Sequence, residues 1–205
     1  MTGIKEYKGC KNVFWVSVEG EAGEAKLATI NLTPGRRVYG EKLVQASGKE
    51  YRVWDTYRSK LAAAIEKGVE KIPLDLGMKV LYLGAASGTT ASHVSDIVGR
   101  DGTVYCIEFS PRVMRELVAV CEYRKNMLPI LADARFPEKY RMLVDEVDAI
   151  YQDVAQPNQS EIMIKNARMF LKQGGHGFLA IKARSVDVTL EPSEVYKRET
   201  ETLKQ

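Results

Sequence analysis

The sequence predicts an α/β fold: a parallel sheet covered by helices on both faces, preceded by a small antiparallel β region. Three observations carry this prediction. Up to about residue 55, short segments rich in β-branched and aromatic residues alternate with turn material. From Lys79 onward, strand-like and helical segments alternate, the pattern of successive β-α-β units. Between the first of those strands and the first of those helices lies a run of small residues, G-A-A-S-G-T-T at 84–90. The predicted division is a β-rich N-terminal domain at 1–55 and a Rossmann-like domain at 56–205.

In the first region the candidate strands are 12–18 (N-V-F-W-V-S-V), 25–32 (A-K-L-A-T-I-N-L), 37–45 (R-V-Y-G-E-K-L-V-Q) and 49–54 (K-E-Y-R-V-W). Turns at 20–23, Pro34-Gly35 and Ser47-Gly48 separate them. Residues 58–68 (R-S-K-L-A-A-A-I-E-K-G) have helical composition and end on a glycine suited to a C-cap. K-V-L-Y-L at 79–83 is the first strand of the second region, followed by a helix at 89–98 and a strand at 103–109 (T-V-Y-C-I-E-F). Ser110-Pro111 then opens a helix to about Arg124, with serine as N-cap and proline at the first helical position. M-L-P-I-L-A-D (127–133) and V-D-A-I-Y-Q-D (147–153) are strands, 160–171 is a helix, and G-F-L-A-I-K-A (177–183) is the last strand.

Composition narrows the class. With 205 residues, 45% of them hydrophobic, the chain can bury one sizeable core and a small appended module. Thirty basic against 27 acidic side chains leave a net charge of only +3, compatible with a local nucleic-acid patch but no argument for one. Three cysteines without C-x-x-C spacing fit a reducing compartment better than a disulfide or zinc scaffold. His93 and His176 are the only histidines, so no multi-histidine metal site is expected. No apolar signal core and no stretch near the roughly 20 apolar residues of a membrane span is present. The expectation is a soluble, cytoplasmic protein.

In parallel sheets, ligands sit beyond the carboxyl ends of the strands. The small-residue turn there has three readings. A Walker loop fails because no lysine follows Gly88. A dinucleotide turn needs G-x-G-x-x-G, and here Gly84 and Gly88 are separated by three residues. A turn that wraps the methionine portion of S-adenosylmethionine needs only small residues and backbone amides, which Gly84, Ala85 and Ser87 supply; tight strand–helix packing alone is the bland alternative. The next strand ends at Glu108, near the spacing of an acid that accepts from a ribose diol, for which an acceptor-only carboxylate is chemically suited. Phe109 can lie against an adenine face or belong to the core. Asp133 can accept from an adenine amino group, with the small Ala134 leaving room for the ring. Asp153, at the fourth strand end, falls beside the cofactor's sulfonium. Any one acid can be explained by turn formation; four successive strand ends carrying Gly, Glu, Asp and Asp favour a nucleoside-sulfonium pocket. Lys182, read as lying within the apolar F-L-A-I-K-A, would bury an ammonium at a cost unless it has a partner and a task.

G-A-A-S-G-T-T-A-S-H (84–93), I-E-F-S (107–110), Y-Q-D-V-A-Q-P-N-Q (151–159), I-K-A-R-S (181–185) and Y-R-S-K-L-A-A-A (57–64) together resemble archaeal fibrillarin, over nearly the whole chain. That family comprises the S-adenosylmethionine-dependent RNA ribose 2'-O-methyltransferases of box C/D ribonucleoproteins. The resemblance implies cofactor contacts at Thr89, Thr90, Glu108, Phe109, Asp133 and Ala134, and along Asp153, Val154, Ala155 and Gln156. It implies a reaction centre of Lys60, Asp153 and Lys182 around the 2'-hydroxyl. Lys182 would stabilise alkoxide character or, if neutralised, act as base, and Asp153 would orient a lysine. Arg58 and Arg184 flank that centre as candidate RNA contacts. The implied partners are box C/D guide RNA with its target rRNA or tRNA, a Nop-family scaffold and a kink-turn-binding ribosomal-type protein. His93 is expected in helix–sheet packing and His176 in a Gly-rich turn.

The sequence departs from the family pattern at Thr56, where proline is common. It ends E-T-L-K-Q, where the family continues into a β-hairpin whose Asp-His-containing stretch completes the active centre; the expectation is a form that binds the cofactor but methylates slowly. A small-molecule or base methyltransferase and a non-catalytic assembly subunit stand as alternatives.

Overall fold

The computed structural model describes residues 3–17 and 25–204. Its first sheet is antiparallel, built from β1 (Ile4–Glu6), β2 (Val13–Val16), β3 (Lys26–Ile30), β4 (Leu43–Ala46) and β5 (Lys49–Val53) in the order β1-β2-β3-β5-β4. The predicted strand at 37–45 is shortened at its start. Gly40 has a left-handed φ of +84°, and the Glu41 carboxylate turns back to accept from the amides of Val38 and Tyr39, so the chain loops before β4 begins. The predicted turn at 20–23 lies outside the described residues.

Helix α1 (Lys60–Glu66) starts on Ser59, whose hydroxyl accepts from the amide of Ala62 as an N-cap. The second sheet is wholly parallel, with β6 (Lys79–Leu83), β7 (Thr103–Glu108), β8 (Met127–Leu131), β9 (Val147–Gln152) and β10 (Leu171–Leu179) in the order β10-β9-β6-β7-β8. Helices α2 (Thr89–Val98), α3 (Pro111–Cys121) and α4 (Gln159–Phe170) connect its strands; α5 (Ala183–Val186) and α6 (Pro192–Leu203) follow. A 3-10 helix occupies Pro137–Leu143.

Alternation along the central strands explains why both faces are covered. Val80, Tyr82, Val104, Cys106 and Tyr151 pack on one face against Leu61 and Ile65 of α1, Val94 and Ile97 of α2, and Leu117 of α3. Leu81, Leu83, Tyr105, Ile107 and Ile150 pack on the other against Ile162 and Met163 of α4 and Tyr140. The three cysteines are buried and free.

A buried polar cluster ties the first sheet to α2. Asp96, on α2, accepts from Arg52 of β5 at 2.8 Å, Arg124 at 2.7 Å, Thr29 of β3 at 2.8 Å and the amide of Leu32 at 3.1 Å. Arg52 also reaches Glu41 at 2.7 Å, and His93 stacks on Trp54 with centroids 4.7 Å apart. Thr29 donates its single hydroxyl proton to Asp96 and so accepts from His93 Nδ1 at 2.8 Å. His93 Nε2 therefore accepts from the Tyr39 hydroxyl at 2.7 Å. Burial first, and then the two guanidiniums, holds His93 well below the usual imidazole range and neutral.

His176 is not in a turn. It pairs with Ala149 as part of β10, exposed, after a register shift at the left-handed Gly174.

Candidate active site

Strand order reverses between β6 and β9, and the rim at that point carries the site. Leu83 and Gln152 are register partners, so Gly84 and Asp153 emerge side by side, with the Asp153 amide donating to Leu83 O at 2.9 Å. Gly84 has φ +81°, and a Cβ there would stand 2.8 Å from the Asp153 carbonyl oxygen. Only glycine fits both conditions. The turn then folds over the end of β7. The amide of Ala86 donates to Glu108 Oε2 at 3.0 Å, and that of Ser110 to Oε1 at 2.9 Å. Two backbone amides thus fix a nearly buried carboxylate, 7% exposed, leaving it further acceptor capacity.

These elements enclose a cavity of about 280 Å³. Of the sequence-predicted cofactor residues, Gly84, Glu108, Phe109, Asp133, Ala134, Asp153, Val154, Ala155 and Gln156 line it, together with Lys182. Ala85, Ser87, Thr89 and Thr90 do not. Ala85 is buried beneath the turn. Thr90 is buried, its hydroxyl donating to Ser59 at 3.0 Å. Ser87 and Thr89 face another concavity with Tyr39, Arg58 and Tyr123. The lining also includes Ala86, Ile107, Ala132 and Ile162, which the sequence reading missed. Ile107 and Ala132 each directly precede a predicted acid, a usable signal; Ile162 comes from α4, and nothing local announces it.

Asp133 is held in a bidentate pair by Arg135, two residues on, with Nη2 to Oδ2 at 2.6 Å and Nε to Oδ1 at 3.1 Å. That hydrogen-bonded guanidinium lowers the carboxyl below its usual range. A ring amino group arriving there would share or displace Arg135. Phe109 stands 65% exposed at the mouth.

Beside the cavity, one carboxylate gathers two ammonium groups. Lys60 Nζ lies 2.9 Å from Asp153 Oδ1 and 3.0 Å from Oδ2. Lys182 Nζ lies 2.9 Å from the same Oδ1 and donates to the Asp153 carbonyl at 3.0 Å. Because each stands 2.9 Å from one oxygen, the two nitrogens are within about 6 Å of each other. The predicted trio is therefore assembled, by the first residue of α1, the residue after β9, and a residue beyond β10. One expectation is corrected. Lys182 is not inside a strand, since β10 ends at Leu179 and Lys182 caps the start of α5. Its side chain is 28% exposed, so its ammonium reaches the rim instead of being sealed in the sheet.

Arg58 is exposed, 3.6 Å from Asp55 and 5.8 Å over the Tyr39 ring. Arg184 is exposed and donates to the Val188 carbonyl at 3.2 Å. Neither belongs to the cavity. A larger concavity of about 650 Å³ lies along the first sheet by Tyr39, Trp54, Tyr57 and Arg58, but Lys60, Asp153 and Lys182 do not line it. Convergent acids and ammonium groups, not volume, make the rim cavity the candidate site.

The family model described as Fibrillarin matches residues 4–205. The chain is 56% identical over 203 residues to a fibrillarin-like rRNA/tRNA 2'-O-methyltransferase of Aeropyrum pernix, covering 99% of this chain and 86% of that protein. The crystal structure of Aeropyrum pernix fibrillarin with natively bound S-adenosyl-L-methionine superposes with a TM-score of 0.91 at 55% identity, over 99% of this chain and 88% of that one. A fibrillarin/Nop5p complex gives a TM-score of 0.81 at 42% identity, covering 95% of this chain and 86% of that one.

Proposed function

The chain belongs to the fibrillarin family, and from that premise we propose that it transfers a methyl group from S-adenosylmethionine to the ribose 2'-hydroxyl of rRNA and tRNA. The observation that carries the chemistry is the shared Asp153 carboxylate, which lines the Glu108 cavity with Lys182 and holds both Lys182 and Lys60.

The residues present fit the donor. Glu108, braced by two backbone amides, keeps acceptor capacity for a ribose diol. Ile107, Ala132, Ala134 and Ile162 offer an apolar slot for a planar ring, with Asp133 at its edge. The Gly84 turn and 153–156 would hold the amino-acid end. Bound there, the donor supplies an electrophilic methyl on a sulfonium.

Everything else falls to this chain's own groups. A ribose hydroxyl is a weak nucleophile; its oxygen gains negative charge as its proton is drawn off to water at the solvent-accessible rim, and that electron pair would then form the bond to the methyl carbon as the carbon–sulfur bond breaks. Two ammonium groups within about 6 Å of each other, at a partly dry rim, favour that charge without any covalent enzyme intermediate. Asp153 keeps the two cations together, opposes their mutual repulsion, and places negative charge near the sulfonium. Lys60 is the more exposed and Lys182 the more enclosed, at 48% and 28% side-chain exposure, so Lys182 carries the larger share of the stabilisation.

Target choice rests on a guide RNA, because no base-reading module is apparent and the net charge is small. The catalytic chain works within a ribonucleoprotein: a Nop-family scaffold, which the fibrillarin/Nop5p relative supports, a kink-turn-binding protein, and box C/D RNA. Arg58 and Arg184 are proposed backbone contacts to the RNA. The deciding experiment is guide-directed transfer of labelled methyl to a target nucleotide carrying ribose or 2'-deoxyribose. Label enters only the ribose target; label in the deoxy target would establish base methylation instead.

A further inference from the structure

Lys182 lies past the end of its sheet. The last ladder bond on that side runs from the Ala180 amide to the Gln152 carbonyl at 2.9 Å. Helix α5, which Lys182 precedes, is four residues long and has no side-chain cap. Helix α5 takes the Lys182 carbonyl, through the amides of Ser185 at 2.8 Å and Val186 at 3.3 Å, but neither strand nor helix engages the Lys182 amide.

A single side chain does. Gln159 Oε1 accepts from the Lys182 amide at 2.9 Å, and Gln159 Nε2 donates to the Lys182 carbonyl at 3.3 Å. A primary amide carries the donor and acceptor of a peptide group, so Gln159 takes the place of a neighbouring strand for this one residue. The orientation is forced, since the flipped amide would set NH₂ against N–H and oxygen against oxygen. Gln159 itself is anchored. It is fully buried at the start of α4, and its carbonyl accepts from Gln152 Nε2 at 2.7 Å. Gln152 directly precedes Asp153, so Gln159 is tied to the strand end that presents the carboxylate.

The geometry points to Gln159 as the positioning residue for Lys182 in methyl transfer: it touches neither donor nor RNA and acts by holding the lysine's peptide group in register with Asp153. This inference rests on the role given to Lys182 above. Hydrogen bonds of this kind matter to rate because a displacement of about 1 Å at a reacting centre can cost on the order of 100-fold.

The test is Gln159→Met, close in length and free of branching, in the full chain assembled with scaffold, kink-turn protein and guide RNA. Single-turnover methylation, donor dissociation constant, melting temperature and amide hydrogen exchange at Lys182 are measured. The expected result is a rate loss of about 10- to 100-fold, a donor constant within about twofold, and lost protection of the Lys182 amide. Combined with Lys182→Ala, Gln159→Met adds less than about threefold, because its target is already gone. Wild-type rate in Gln159→Met with a slow Lys182→Ala overturns this inference alone. Full multiplication of the two losses also overturns it, since Gln159 would then act by another route. Wild-type rate in Lys182→Ala overturns the parent reading as well. Should Gln159→Met not fold, Gln159→Glu carries the same cycle. It keeps the acceptor for the Lys182 amide, loses the donor, and is expected to show a smaller loss with the same non-additivity.

Discussion

Replacing Asp96 with asparagine removes the one acid shared by Arg52 and Arg124, both guanidiniums being fully buried. Asp96 takes four hydrogen bonds, two from those cations, at 2.7 and 2.8 Å. In the variant, Arg52 keeps Glu41 but Arg124 loses the carboxylate it pairs with, and the new amide sets a donor either against Arg52 and Thr29 or against Arg124 and the Leu32 amide. Breaking a buried ion pair on one side costs about 3 to 5 kcal/mol, because the remaining charge stays desolvated. Against a total stability on the order of 5 to 15 kcal/mol, that is a large fraction. For a chain of this size, about 2 to 4 °C per kcal/mol converts the loss into a fall in melting temperature of about 6 to 20 °C. Denaturant unfolding followed by tryptophan fluorescence suits the measurement, since Trp54 stacks on His93 inside the cluster. The same change at exposed Asp101 serves as control and stays within about 0.5 kcal/mol. An Asp96→Asn loss under about 1 kcal/mol would refute the buried, charge-balanced cluster as the tie between the first sheet and α2.

Acid should weaken the same region. His93 binds its proton well below the ordinary range when folded and near 6.5 when unfolded, so below about pH 6.5 the unfolded chain holds the extra proton. Stability is then complete above that pH and falls as pH drops, by up to about 1.4 kcal/mol per unit. Urea midpoints between pH 5 and 7 should show this slope, and His93→Gln should flatten it; an equal slope in both proteins assigns the acid sensitivity elsewhere. Gly84→Ala meets a left-handed φ of +81° and the Asp153 carbonyl at 2.8 Å. Calorimetry should find donor binding weakened at least about tenfold, because the turn and the Asp153 backbone must separate; unchanged affinity would mean the donor lies elsewhere.

How much of this was legible follows from the range of the interactions. The strands and helices from Lys79 to about residue 170 were readable because apolar alternation, the Ser110-Pro111 cap and turn residues are local signals, and the acids at the rim follow from strand ends. Lys182 shows the limit. Its apolar setting, F-L-A-I-K-A, continues a strand pattern, yet the ladder stops at Leu179 and the lysine's backbone turns to a glutamine 23 residues earlier. Thr90 matched a family cofactor position, but its hydroxyl is bound to Ser59. The cluster of Arg52, Asp96 and Arg124 joins residues 28 and 44 positions apart, and no local periodicity encodes such pairing. Residues 37–45 read as a strand by composition; Gly40 and the inward-turned Glu41 make their first half a loop.

The most direct test sets Lys182→Ala against the unaltered chain in the assembled, guide-loaded particle, at saturating donor, and reads single-turnover methylation of a matched RNA. If two ammonium groups held by Asp153 ease the charge on the sugar oxygen, the rate falls at least about 100-fold while donor affinity and particle assembly hold. A rate within about threefold of the unaltered particle would contradict it.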